Sequence, residues 1–214
     1  MSGAGKFGGQ RGGVQAEVLT EADILHAAVA VARESGLDRL TVKAVAEQLG
    51  ITSPALYYHV PDGRSALESM VAGYALERHF QGRLQELAGE NWEETLVRVL
   101  LAVADLAEEF PGVVGHLMLQ SRGIPASLDV SSFMVAQLRR GGLTVTEAAS
   151  GYFALTALIC GWAEFSPSAV PDERRYADLA AALAEGSRIP SRERLQFALR
   201  ALVSGLGSTT ADDR

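Results

Sequence analysis

The chain has 214 residues, 48% of them hydrophobic and 21% charged, with a net charge of −7. This length can bury a core of its own, the composition is that of a folded soluble protein, and the negative balance excludes a chain that holds polyanions by bulk charge. A lone cysteine, Cys160, excludes an intramolecular disulfide framework and a cysteine-based zinc site, and fits a reducing cytoplasm.

The first 16 residues are glycine-rich, carry Lys6 and Arg11, and lack the apolar run of a signal peptide. Residues 1–18 are expected to be disordered, either a flexible tail or a basic arm that settles on a polyanion. From Thr20 the pattern is helical. Thr20 and Asp23 form a relative of the capping box, and Ile24, Ala27, Ala28, Val31 and Ala32 recur at helical spacing up to Gly36. Thr41 is placed to cap a second helix with Val42, Val45, Ala46 and Leu49 on its apolar face, and Gly50 stops it. Thr52 or Ser53 opens a short third helix with Pro54 at its start, and Pro61-Asp62-Gly63 is a turn.

A long helix is expected from about residue 64 to 87, followed by helices near 92–109, 111–121, 126–140, 144–165, 172–185 and 191–206. Residues 208–214 are expected to be a disordered tail. No alternating run reads as a strand, and no repeat appears. The longest apolar run, residues 148–163, is short of the roughly 20 that span a bilayer, so no membrane partner is expected. The predicted class is all-α with about nine helices, soluble and cytoplasmic.

A helix, a glycine stop, a short turn and a brief second helix have the form of a helix-turn-helix. Ala46 permits close approach; Val45, Leu49, Ile51 and Leu56 lock the pair; the outer face of the second helix is then free to enter a major groove. Residues 19–71 carry more than this pair: Gly36-Leu37, Leu40-Thr41, Val45-Ala46, Leu49-Gly50-Ile51, "PALYYHV" over Pro54–Val60, and Ala66-Leu67. Together these resemble the DNA-binding domain of the tetracycline-repressor (TetR) family. The resemblance implies a DNA-binding domain over residues 19–66 and a helical ligand-binding and dimerisation domain over residues 67–207.

By that resemblance Thr41 and Lys43 are phosphate or groove-edge contacts, and Thr52, Ser53, Pro54 and Ala55 sit where the family reads bases. Tyr57, Tyr58 and His59 are phosphate anchors, which set register and affinity rather than sequence preference. Near the start of the next helix many members place a phosphate-binding lysine. This chain has Gly63 there, with either Arg64 beside it as the substitute or the helix N-terminus alone binding the phosphate through its amides. Residues 1–75 hold six Lys/Arg against eight Asp/Glu, a net of −2, so binding is expected to depend on two half-sites offered by a homodimer.

The second half is expected to supply the dimer interface, through the helices near 144–165 and 191–206, and a site for an unidentified small apolar or amphipathic effector. Pocket candidates are Trp92, Leu96, Leu100, His116, Leu119 and Gln120, with Phe133, Met134, Gln137, Tyr152, Phe153 and Thr156: an apolar set with a few polar anchors. No cofactor or metal is expected. The histidines lack H-E-x-x-H spacing, and there is neither a phosphate loop nor a nucleophile elbow, so the chain is not expected to be an enzyme. The expected function is a ligand-responsive dimeric regulator, a repressor released from operator DNA by its effector. The alternative is a helical small-molecule-binding protein with a vestigial helix-turn-helix.

Overall fold

The computed structural model describes residues 19–120, 124–164 and 175–212. Among these, every regular element is helical: eleven α-helices and one 3-10 turn. The expected arm over residues 1–18 lies outside them.

Helix α1 (Glu21–Ser35) opens on a complete capping box. Thr20 Oγ1 accepts from Asp23 N, and the Asp23 carboxylate accepts from Thr20 N. A bond from the Thr20 hydroxyl to Asp23 Oδ2, followed by the one from Thr20 N, holds the Asp23 carboxyl below its ordinary range. A 3-10 turn (Leu37–Arg39) leads to α2 (Val42–Leu49), which Thr41 caps by accepting from Ala44 N at 3.1 Å. Gly50 ends α2 at φ +68, and the bonds Ile51 N→Ala46 O and Gly50 N→Glu47 O complete a Schellman turn. α3 (Ser53–His59) follows, and Val45, Ala46 and Leu56 are buried between it, α1 and α2.

The long helix expected over residues 64–87 is two helices, α4 (Arg64–Phe80) and α5 (Arg83–Leu87). The break is at Gln81-Gly82, where Gly82 takes φ +77, a conformation no helix interior accommodates. α6 (Trp92–Glu109) is the axis of the second half and is buried nearly all round, through Leu96, Val99, Leu100, Ala104 and Leu106 among others. Packed about it are α4, α5, α7 (Val113–Gln120), α8 (Pro125–Arg140), α9 (Val145–Glu164) and α11 (Ser191–Asp212). α11 runs past the expected end at residue 206, so residues 208–212 are helical rather than a disordered tail. α10 (Ala177–Arg188) starts five residues later than expected and buries no residue. Among the described residues, no helix is long and apolar enough to cross a membrane.

α4 joins the two halves. Its first turns pack on α1, and its body packs on α6, α7 and α8. A second seam runs beside it. Leu37 N donates to Pro111 O at 2.8 Å, and the Arg33 guanidinium bonds the Glu109 carboxylate while lying 5.1 Å from the centre of the Phe110 ring.

Candidate nucleic-acid interface and effector cavity

α3 is a helix of seven residues whose only fully buried side chain is Leu56. Tyr58 is 88% exposed and Tyr57 50% exposed, while Thr52, Pro54, Ala55 and His59 also face outward and Ser53 is half-buried. Burying one residue in seven leaves an apolar and aromatic face in water, which is costly unless something outside covers it. Tyr58 and His59 meet edge to face, with ring centroids 5.8 Å apart. Thr41, the cap of α2, is exposed. Lys43, its side chain 80% exposed, stands 3.7 Å from Glu47.

Gly63 accounts for the departure from the expected lysine. Its backbone sits at φ +60 and ψ −126, and a Cβ there would come within 3.0 Å of the Tyr57 ring. Only glycine holds that conformation without strain, and only glycine leaves Tyr57 its place. The neighbouring cation, Arg64, is the first residue of α4. Its Nε donates to Glu68 Oε1 at 2.6 Å and its Nη2 to Leu37 O at 3.4 Å. The ten residues expected at the interface thus lie on α2, on α3, at the caps Thr41 and Thr52 that precede them, or at the α4 N-terminus.

The twelve expected pocket residues are not brought together. A small cavity of about 50 Å³ lies between α4, α6, α7, α8 and α9, and four of the twelve line it: Leu100, Met134, Tyr152 and Thr156. Val103 and Met118 add apolar wall, and Ser127 and Ser131 add hydroxyls, Ser131 and Tyr152 being hydrogen-bonded at 3.0 Å. No charged residue lines it. Phe133 is on another side of α8, in an open groove of about 700 Å³ beside α4 and α5.

The others sit elsewhere. Leu96 is core, and Trp92 packs against Gly141 and Gly207. Gln137 is buried with Oε1 unbonded, and His116 faces Glu68 instead of the cavity. Phe153 is 68% exposed: with Tyr152 directed inward, its neighbour about 100° further round the helix must point away. The side chains of Leu119 and Gln120 lie outside the described residues. Ser127, Ser131 and Ile159 were missed, although the i, i+4, i+7 series Ser127-Ser131-Met134 and Tyr152-Thr156-Ile159 each mark one helix face.

Burial among apolar neighbours, with the charge of Glu164, pushes the Cys160 thiol up, away from the thiolate.

Residues 24–62 match the family model for bacterial regulatory proteins of the tetR family. Over 78 residues the chain is 37% identical to the class D tetracycline repressor protein of Escherichia coli, covering 36% of this chain and 35% of that one. It is also 37% identical, over 84 residues, to an uncharacterised helix-turn-helix-type transcriptional regulator of Mycobacterium tuberculosis, covering 38% and 41%. The chain therefore spans little more than a third of the length of the curated relatives it matches. The fold extends further. A possible TetR family transcriptional regulator from Streptomyces coelicolor A3(2) superposes with a TM-score of 0.75 at 20% identity, over 88% of this chain and 98% of that one. A TetR variant from Acinetobacter baumannii AYE in complex with minocycline gives 0.63 at 19% identity, over 90% and 98%.

Proposed function

We propose, from the premise that the chain belongs to the tetR family of bacterial regulatory proteins, that it is a homodimeric transcriptional repressor released from operator DNA by a small amphipathic molecule. The observation that carries the reading is α3, a two-turn helix that buries Leu56 and leaves Tyr57, Tyr58 and His59 outside. Such a helix contributes little to the core and matches what a major groove accepts. Residues 19–66 bind DNA and residues 67–207 bind the effector and the second protomer.

Within the interface, Thr52, Ser53, Pro54 and Ala55 face base edges. Pro54 and Ala55 offer only apolar contact, suited to a thymine methyl. Thr41, Lys43, Tyr57, Tyr58, His59 and Arg64 face phosphates. The effector enters the cavity between α4 and α9. Its lining is apolar with hydroxyls and no charge, which suits a neutral molecule bearing one or two hydrogen-bonding groups. The cavity opens further on binding, and α4 carries the change, because it touches both halves. Two recognition helices must sit about 34–36 Å apart to reach successive major grooves, and an effector that favours another spacing shifts the population off DNA.

Selection of duplexes from a random pool, followed by gel shift over a salt series, tests the reading. A two-fold symmetric consensus bound by the dimer, with affinity falling as salt rises, is the expected result. No enriched sequence, and no shift at low salt, would select the vestigial helix-turn-helix instead.

A further inference from the structure

We propose that Glu68 is a positioning residue for operator binding: one of its oxygens fixes the guanidinium of Arg64, and the other faces His116 of α7. The inference rests on the reading of Arg64 as a phosphate contact. Arg64 Nε donates to Glu68 Oε1 at 2.6 Å, and Nη2 donates to Leu37 O at 3.4 Å. Both anchors are protein atoms, and Nη1 remains for an acceptor outside. An arginine held this way has lost its rotamer freedom before DNA arrives, so a phosphate contact costs less ordering.

Both anchors lead back to one short segment of the second half. Glu68 is nearly buried, its side chain 13% exposed, so its charge needs partners, and the second is His116, with Nδ1 3.7 Å from Oε2. His116 is itself buried, its side chain 7% exposed, and its Nε2 has no hydrogen-bond partner. The other anchor, Leu37, takes its own bond from that region, Leu37 N donating to Pro111 O at 2.8 Å. Residues 111–116 therefore hold Arg64 twice, through Leu37 and through Glu68.

That segment and the turn after it form cavity wall, through Val114 and through Leu117 and Met118. At 3.7 Å the contact between His116 Nδ1 and Glu68 Oε2 is longer than a hydrogen bond. A displacement of α7 by less than an ångström either closes it to a hydrogen bond or breaks it. Occupation of the cavity thereby changes how firmly Arg64 is aimed.

The test is fluorescence anisotropy with the selected duplex over a salt series, using the full-length chain. The variants are Arg64→Ala, Glu68→Ala, Glu68→Gln and His116→Ala, with the last three repeated in the Arg64→Ala background. Thermal melts report folding. Arg64→Ala should weaken binding about tenfold and reduce the salt slope by about 0.9 per half-site. Glu68→Ala should weaken it at least threefold with a slope approaching that of Arg64→Ala. Without Arg64 the same change should cost nothing, or tighten binding slightly because a negative charge has gone. Glu68→Gln keeps an acceptor for Nε and should retain most of the slope, and it carries the test if the alanine variant does not fold. His116→Ala should weaken binding only while Arg64 is present. An equal loss from Glu68→Ala with and without Arg64, or tighter binding with Arg64 present, would overturn the positioning role; no effect of His116→Ala would overturn the link to α7. If Arg64→Ala alone changes neither affinity nor slope, the phosphate reading has failed first, and the positioning role falls with it.

Discussion

His79 Nε2 of α4 lies 2.7 Å from Glu109 Oε2 at the end of α6, and the same carboxylate takes Arg33 of α1 and, at 3.7 Å, Arg78 of α4. One acidic side chain thus gathers cations from both halves of the molecule. Burial pushes the Glu109 carboxyl up, but the hydrogen bonds from His79 and Arg33, with their charges, outweigh it and hold the group below its ordinary value of 4.5. The ionised form is favoured by the fold, so this stabilisation is present above about pH 4.5 and is lost as pH falls through the lower folded value. Glu109→Gln should cost on the order of 1 kcal/mol at pH 7 after allowance for solvent screening, a melting temperature lower by about 2–4 °C. The variant's melting temperature should also fall less steeply than the wild type's below pH 4.5. Parallel curves for the two proteins in differential scanning fluorimetry would show that Glu109 does not carry the acid limb.

Gly63→Ala tests whether the turn after the recognition helix is built around Tyr57. The substitution meets two costs: a residue with a Cβ at φ +60 and ψ −126, and an approach of 3.0 Å to the Tyr57 ring. About 1–3 kcal/mol of stability should be lost. Affinity for the selected duplex should fall as well, because the ring must move and carries the proposed phosphate contact with it. Denaturant melts and anisotropy on the same preparation measure both. A stable variant with unchanged affinity would mean that the turn relaxes freely and that Tyr57 is not held by it.

The N-terminal half was legible because its signals are local. Thr20 with Asp23, Thr41 as a cap and Gly50 as a stop each act within one turn of helix, and each sits where its residue type dictates. Gly82 was not legible, since an isolated glycine within a helical pattern is compatible with an unbroken helix, and tertiary packing decides. The pocket was legible only in part, four of twelve expected residues lining the cavity, for a related reason. α9 is apolar on more than one side, so composition alone separates neither Tyr152, which lines the cavity, from Phe153, which faces water, nor a core face from a partner face. The Arg33–Glu109 pair joins residues 76 apart in sequence, and no local pattern announces it.

Tyr58→Ala and His59→Ala should weaken binding to every duplex by a similar factor, whereas Ala55→Ser should change which duplexes are preferred. The distinction follows from position. Tyr58 and His59 close the C-terminal end of α3, and Ala55 lies near its start, where a recognition helix meets base edges. About 1.5–3 kcal/mol per phosphate-facing side chain, roughly a tenfold to hundredfold loss, is the expected size, the contribution of a hydrogen bond to a charged group. Binding measured against the consensus and a panel of single-base variants separates the two outcomes. A shift in base preference from Tyr58→Ala would reassign that residue to sequence reading.

Phe197→Glu should separate the protomers. Phe153 of α9 and Phe197 of α11 are 68% and 77% exposed, and α9 and α11 pack against each other, so both aromatic rings belong to one pair of adjacent helices. Val145, 72% exposed, adds a further apolar side chain on α9. Aromatic residues are favoured at the buried centre of an interface, and a carboxylate placed there would be desolvated without a partner. Phe197 buries little within the chain itself, so the monomer should keep its helical content while losing its mate. Light scattering behind size exclusion should show the mass halved. Affinity for a two-fold symmetric duplex should fall far more than tenfold, because each protomer then holds a single half-site and the linked second contact is gone. A Phe197→Glu protein that remains dimeric would place the interface elsewhere. One that is monomeric yet binds the full duplex undiminished would remove the need for two half-sites.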